Sequence, residues 1–271
     1  MQTDHSFVDS AKDEMIILAI DIGNTHIEVG LYNEANHISS WRIATGVHRT
    51  EDEMMTFLNY FLGQKNIQLT DVNDVIIASV VPNVTQIFQK LCQNYFQKNP
   101  FIVDHQVDSG LTIDYHPPSS VGADRICNAV AAYEKYGGPT IVVDFGTATT
   151  LDVVNSNGIY LGGVIAPGLE MTALSLYERT SKLPKISLEF PNSIIGKTTE
   201  HSMQSGIMFG TIEMVDGLIE LIKKEIGGKA KVVATGGLAC HILTKSKHIE
   251  FLEPKLVLEG LIKIYFRNRK T

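Results

Sequence analysis

One short motif occurs twice in this chain of 271 residues, and its two copies lie 123 positions apart, counted from Asp21 to Asp144. In each copy an apolar run of strand length ends in Asp, an apolar residue, Gly and a small polar residue. Leu18 to Asn24 forms the first copy, and Val142 to Thr147 forms the second. A repeat of this kind predicts a duplicated domain whose two related lobes face each other across a cleft.

The pattern around both copies is that of an α/β protein. Apolar runs of strand length alternate with longer stretches of helical periodicity. Each motif joins two strand-length runs through a tight turn with Gly, which predicts a β-hairpin. We expect an N-terminal lobe at residues 15–120, a C-terminal lobe at residues 121–271, and a flexible tail at residues 1–14.

Composition excludes several classes of protein. Hydrophobic residues make up 44% of the chain and charged residues 20%, which is typical of a compact globular protein. Lys and Arg total 23 against 30 Asp and Glu, so the chain lacks the positive charge for sequence-independent binding of nucleic acid. The apolar runs are shorter than the roughly 20 residues of a membrane span. The first 14 residues are acidic, unlike a secretion signal, so we expect a cytoplasmic protein.

The repeated turn suits phosphate chemistry. A carboxylate at a strand end can hold Mg²⁺, and the Gly lets the following N–H groups approach a phosphate closely. A single copy is also explained by a hairpin whose Asp caps the turn. Two facing copies favour the first interpretation, because they could hold the phosphates and metal of ATP from both sides.

Two further segments carry possible chemistry. Gly122–Arg125 places an acid beside a base before a helix, where the Asp could accept a hydroxyl proton and the Arg could hold an anionic group. An acid that stabilises the helix dipole, next to a surface Arg, is the alternative. The two glycines of Ala234–Ala239 could let adenine lie against the backbone, or could form a plain strand-to-helix turn.

Together, six segments closely resemble the type III pantothenate kinases, a family of the actin, sugar-kinase and Hsp70 superfamily. They lie within residues 15 to 240, nearly the whole chain. The matching segments are Asp21–His26, Gly122–Arg125, Asp144–Thr150, Gly162–Gly168, Gly196–Thr199 and Ala234–Gly237. The resemblance implies an α/β fold of duplicated ribonuclease H-like (actin-like ATPase) lobes, with mixed sheets flanked by helices and a nucleotide cleft between the lobes. It also implies ATP-dependent phosphorylation of pantothenate to 4'-phosphopantothenate, the first step of coenzyme A biosynthesis.

The resemblance implies a role for each matching residue. Asp124 takes the place of the catalytic base. Asp144 matches the ligand of a monovalent cation, K⁺ or NH₄⁺, and Asp21 lies near Mg²⁺. The expected pantothenate contacts are Tyr115, Gly122, Ala123, Asp124, Arg125 and Thr199. The expected ATP contacts are Asp21, Ile22, Gly23, Asn24, Thr25, His26, Ile27, Glu28 and Thr147. The family's active form is a homodimer, with the substrate and cation sites near its interface.

Two other functions compete with this one. A nucleotide-binding regulator of transcription could use the same fold without turnover, although Asp124, Arg125, Asp144 and Thr147 favour an enzyme. A phosphatase or acyl-phosphate kinase would need both phosphate turns but has no reason to keep Gly122–Arg125. The acidic segment before Met15 is longer than is usual in the family, and no role is assigned to it.

Overall fold

Two mixed β-sheets each carry one copy of the repeated motif. The computed structural model describes residues 15–46 and 48–269, so the predicted tail at residues 1–14 lies outside the described part. The strands of the first sheet are β1 (Ile16–Ile22), β2 (His26–Asn33), β3 (Asn36–Ala44), β4 (Val72–Ser79) and β5 (Phe101–Ile102). Those of the second sheet are β6 (Thr112–Ile113), β7 (Thr140–Phe145), β8 (Ala148–Val154), β9 (Ile159–Pro167), β10 (Lys231–Thr235) and β11 (Phe251–Leu252).

The two sheets repeat the same topology. The first has the order β3-β2-β1-β4-β5, and the second contains the equivalent order β9-β8-β7-β10-β11 with β6 added at its edge. In both sheets the first three strands of the repeat are antiparallel neighbours, and the fourth is parallel to the first. The predicted duplication is therefore present in the backbone as well as in the motif.

Seven α-helices accompany the sheets within the described residues. They are α1 (Glu51–Gly63), α2 (Pro82–Leu91), α3 (Ala123–Tyr136), α4 (Leu169–Glu178), α5 (Thr199–Glu225), α6 (Ala239–Leu243) and α7 (Leu256–Asn268). Helix α1 begins directly after Thr50, because Thr50 and Glu53 form a reciprocal capping box. Helices α1 and α2 cover the first sheet with one apolar cluster, and α5 covers the second sheet with another.

Helices α3 and α7 form a layer that is shared by the two sheets. One apolar cluster joins both helices to Ile17 and Ile76 of the first sheet, and a second joins them to Val142 and Val233 of the other. The helices approach so closely that a Cβ on Gly260 would stand 2.0 Å from the Cys127 carbonyl oxygen. Helix α3 is thus fixed between the sheets, and it carries Gly122–Arg125 at its start.

The division into lobes at residue 120 stays a prediction. Sheet membership assigns Thr112–Ile113 to the second sheet, and α7 packs against both sheets although it follows the second one in the chain. Within the described ranges, no helix is both long enough and apolar enough for a membrane crossing. The cytoplasmic location also stays a prediction.

Candidate active site

The two repeated turns meet in space. The β1–β2 turn closes with a hydrogen bond from Gly23 N to His26 O of 3.0 Å, and the β7–β8 turn with one from Gly146 N to Ala148 O of 3.1 Å. The hydroxyl oxygens of Thr25 and Thr147 lie 2.8 Å apart, although 122 positions separate them. Two equivalent turns, one from each sheet, therefore line the same space.

Three carboxylates belong to this space. Burial raises the pKa of Asp21 well above its ordinary value, and the charges of Asp124 and Asp144 raise it further. Burial, and then the charges of Asp124 and Asp152, raise the pKa of Asp144 to about 7. Since each carboxylate disfavours the ionisation of its neighbours, the site attracts cations.

Asp124 lies in the first turn of α3, after Gly122 at the N-cap. Its Oδ1 accepts a hydrogen bond of 2.8 Å from the Arg125 N–H, which fixes the carboxylate at the helix start. Burial raises the pKa of Asp124, and the Arg125 N–H opposes that shift. A carboxylate with a raised pKa is the better proton acceptor, because Brønsted behaviour favours a base whose pKa approaches the working pH.

Arg125 is buried and directed toward the second sheet. Its Nε donates to Asp152 Oδ1 over 2.8 Å, and its Nη2 lies 2.7 Å from the same oxygen. Tyr115 is close by, because its ring packs against Tyr160 and would lie 3.2 Å from a Cβ on Gly162. The structure therefore brings Tyr115 and Gly122–Arg125 to one region.

The turn after β10 packs directly against the Asp144 side chain. Gly236 has a φ of +93°, and a Cβ there would stand 2.5 Å from Asp144 Oδ1. The next residue, Gly237, faces Arg42 of the first sheet, whose Nη1 would lie 3.1 Å from an added Cβ. Arg42 Nη2 also lies 2.9 Å from His26 Nδ1. Arg42 thus lies between His26, where the β1–β2 turn ends, and the glycine pair that follows β10.

Thr199 stands apart from the other predicted pantothenate contacts. It begins α5 and lines a groove with Thr172 and Leu176 of α4. No hydrogen bond among the described residues joins its side chain to Tyr115 or Arg125. Its role in binding pantothenate stays a prediction.

Sequence reasoning missed three residues of the site: Asn128, Asp152 and Arg42. Asn128 Nδ2 donates to Asp144 Oδ2 over 3.0 Å from one turn further along α3 than Asp124. Asp152 carries a sequence signal, since it is an ionisable residue inside the apolar strand β8. Arg42 pairs with Glu28 across β2 and β3, but the sequence alone does not reveal this register.

Comparison with known proteins identifies the family. The family model for type III pantothenate kinase matches residues 17–221. The chain belongs to the type III pantothenate kinase family. The type III pantothenate kinase of Listeria monocytogenes serotype 4a is 45% identical over 257 residues, which is 94% of this chain and 99% of that protein. That of Shouchella clausii is 48% identical over 256 residues, 94% of this chain and 100% of that one.

Solved structures confirm the fold expected of a type III pantothenate kinase. A Baf family protein from Campylobacter jejuni matches with a TM-score of 0.59 and 20% identity, over 94% of this chain and 100% of that chain. The ROK hexokinase from Thermus thermophilus matches with a TM-score of 0.51 and 12% identity, over 93% and 99%. This pantothenate kinase therefore has the α/β actin-like ATPase and sugar-kinase fold, with two mixed sheets flanked by helices.

Proposed function

We propose that this kinase transfers the γ-phosphoryl group of ATP to the primary hydroxyl of pantothenate, forming 4'-phosphopantothenate at the start of coenzyme A biosynthesis. One observation carries the proposal. The two phosphate turns meet at Thr25 and Thr147, and the charge of Asp124 acts on the carboxylates that precede both turns. A hydroxyl held at Asp124 is thereby near a phosphate held by the turns.

In this proposal the phosphates of the nucleotide lie against both turns, beside the point where Thr25 meets Thr147. The segment Asp21–Glu28 and the hydroxyl of Thr147 contact the phosphates, since Thr25 and Thr147 bring the two turns to one space. The backbone at Gly236 and Gly237 offers a flat surface for adenine. Arg42 lies between His26 and Gly237, so the nucleotide contacts both sheets.

Pantothenate lies at the start of α3. Its hydroxyl donates to the Asp124 carboxylate, which accepts the proton as the oxygen attacks the γ-phosphorus in line. Its carboxylate binds Arg125, with Gly122, Ala123 and Tyr115 around it. Thr199 is the remaining proposed contact. Positioning of the two substrates supplies most of the rate enhancement.

The carboxylates fit a divalent cation as ATP's partner. No set of three or more Asp, Glu, His or Cys side chains is arranged as a metal site in the part of the chain that the structure describes. Mg²⁺ commonly keeps several waters and binds through one or two carboxylates plus substrate phosphates, so Asp21 suits it. When bound, Mg²⁺ neutralises negative charge on the phosphates.

The surroundings of Asp144 fit a monovalent cation, K⁺ or NH₄⁺. Its carboxylate is surrounded by other acids, and Asn128 Oδ1 is a buried oxygen that finds no donor within the described residues. A carboxylate and an amide oxygen are the hard donors that such cations take. Asp144 and Asn128 would therefore hold the cation beside the second phosphate turn.

We predict that Asp144→Asn removes activation by K⁺. The wild type should be several-fold more active in KCl than in choline chloride at equal ionic strength, and the variant should not distinguish the two salts. Asp104→Asn, at an exposed Asp outside the site, is the control and should keep the K⁺ response. An Asp144→Asn enzyme with the full K⁺ response would contradict the assignment.

The apolar surface near α4 supports the homodimer. Leu161 and Ile165 of β9 and Met171, Leu174 and Tyr177 of α4 are exposed, between 38% and 63% of each residue. An exposed apolar patch on one face is typical of a subunit interface. We predict that Ile165→Glu yields monomers in light scattering, whereas Tyr60→Glu, at an equally exposed aromatic residue on α1, leaves the dimer intact.

Coupled ADP release tests the function itself. With ATP and Mg²⁺ present, ADP should form only when pantothenate is added. ATP hydrolysis without pantothenate would favour a phosphatase. Nucleotide binding without turnover would favour a regulator.

A further inference from the structure

We propose that Asp152 is a positioning residue that orients Arg125 toward the carboxylate of the substrate, and so sets the preference for an acidic over a neutral substrate. The proposal rests on the proposed function and assigns a role to a residue that does not itself contact substrate. Asp152 is fully buried in the middle of β8, on the side of the second sheet that faces α3.

Three groups hold the Asp152 carboxylate in place. Arg125 Nε donates to Oδ1 over 2.8 Å, Tyr160 Oη donates to Oδ1 over 2.6 Å, and Thr150 Oγ1 donates to Oδ2 over 3.2 Å. Tyr160 is fully buried, as Asp152 is, so the hydrogen bond between these two side chains is shielded from solvent. Charge-assisted hydrogen bonds of this kind are the strong ones, and a buried carboxylate needs them.

The fixed carboxylate determines which part of Arg125 remains available. Nε and Nη2 both face Oδ1 of Asp152, at 2.8 and 2.7 Å. The hydrogen bond from Nε is the one that the Arg125 side chain makes within the described residues, and Nη2 meets Oδ1 as an ion-pair contact only. Because the guanidinium is planar and rigid, fixing one edge also fixes the direction of the Nη1 N–H groups. Asp152 therefore determines where an anionic group can bind.

The ion pair between Arg125 and Asp152 is also connected to Asp124, the proposed base. Arg125 directly follows Asp124, and its backbone N–H donates to Asp124 Oδ1 over 2.8 Å. The Arg125 side chain thus reaches the substrate's acidic end while its backbone holds the base. The ion pair between Arg125 and Asp152 is therefore linked through one residue to the proposed base, Asp124. This arrangement makes substrate selectivity the property to measure.

The test compares pantothenate with its primary amide, which lacks the negative charge, in the full chain. In Asp152→Asn the guanidinium loses its charged partner, and a single neutral amide oxygen is left to accept from both Arg125 and Tyr160, so the direction of Arg125 is held less firmly. We expect kcat/KM for pantothenate to fall roughly 10- to 100-fold, mainly through KM, because a hydrogen bond between charged groups is lost in both ground and transition states. The rate with the amide should change much less, so the ratio of the two kcat/KM values should fall at least about 10-fold. The KM for ATP should stay within about threefold.

Asp108→Asn is the matched control. Asp108 accepts from Arg267 Nε over 2.9 Å in an exposed Asp–Arg pair at the end of α7, so its loss should leave the acid-to-amide ratio unchanged. Tyr160→Phe removes one donor to Asp152 while keeping the ion pair, and should lower the ratio about two- to fivefold. The ratio does not depend on the fraction of active enzyme. If Asp152→Asn fails to fold, Tyr160→Phe decides the question.

The outcomes separate this inference from the function on which it rests. A wild type whose ADP release ignores pantothenate refutes the function. A pantothenate-dependent wild type with an unchanged acid-to-amide ratio in Asp152→Asn, or in Tyr160→Phe where only that variant folds, overturns the role of Asp152. A lowered ratio with an unchanged KM for ATP supports it.

Discussion

Asp124→Asn should fold like the wild type and lose about 10² to 10⁴ in kcat, the usual cost of removing a general base. The change is nearly isosteric, and the amide oxygen can still accept the Arg125 N–H that holds Asp124 Oδ1 at 2.8 Å. The amide cannot accept the hydroxyl proton of pantothenate. It also removes one negative charge from the neighbourhood of Asp21 and Asp144, so binding of ATP should not weaken.

Steady-state kinetics, thermal melting and pantothenate binding by calorimetry check this result. Glu134→Gln, at an exposed residue of the same helix, is the control and should keep full activity. Because burial raises the pKa of Asp124, the base stays protonated up to a higher pH than an ordinary Asp. As the pH is lowered, the wild-type kcat/KM should therefore decrease with an apparent pKa above about 3.9, the ordinary Asp value. A variant kcat within threefold of wild type would show that Asp124 is not the base.

Gly236→Ala should lower both stability and affinity for ATP. At φ +93° a residue with a Cβ is strained by about 1 to 2 kcal/mol. The new Cβ would also stand 2.5 Å from Asp144 Oδ1 and 2.6 Å from the Phe145 carbonyl oxygen. Overpacking of this kind costs about 1 to 3 kcal/mol. We expect a loss of about 2 to 5 kcal/mol in the free energy of unfolding and a KM for ATP raised about tenfold or more.

Gly237→Ala is the matched control for this change. Its Cβ would meet only the flexible end of Arg42, at 3.1 Å, and its φ lies outside the range that disfavours side chains. Urea unfolding should show a change within about 0.5 kcal/mol, as for most surface substitutions. Equal losses in the two variants would mean that the close contact between Gly236 and Asp144 has no special role.

The long elements of the fold are predictable from the sequence. Hydrophobic periodicity behind Thr50 predicts a helix over Glu51–Leu62, and α1 spans Glu51–Gly63. The periodic stretch from Thr199 to Ile226 corresponds to α5 at Thr199–Glu225. The repeated motif predicts two hairpins, and both exist as β1–β2 and β7–β8. These features are local, because a hairpin turn or a helix cap is determined by residues a few positions apart.

Elements that depend on distant contacts are harder to predict. Helix α4 at Leu169–Glu178 has an apolar face that is largely exposed, so its periodicity does not show burial. The strands β5, β6 and β11 have two residues each, too few for an alternating pattern. Residues 84–96 read as a single helix, whereas α2 begins at Pro82 and gives way to a π-helical turn at Cys92–Phe96.

The candidate site divides in the same way. The motif residues Asp21, Asp144 and Asp124 stand out in the sequence because each lies near the end of an element and two positions from a Gly. Asp152 and Asn128 act through partners 27 and 16 positions away, so only the folded chain shows their contacts. The contact between the two turns also depends on how the two sheets pack, because Thr25 and Thr147 are 122 positions apart in the chain.

A crystal structure with Mg²⁺, a non-hydrolysable ATP analogue and pantothenate tests the central claim most directly. We predict one triphosphate in contact with both the Gly23–Thr25 turn and the Gly146–Thr147 turn, with the pantothenate hydroxyl in hydrogen-bond range of Asp124. A triphosphate that contacts one turn alone, with the other turn facing solvent, would contradict the account.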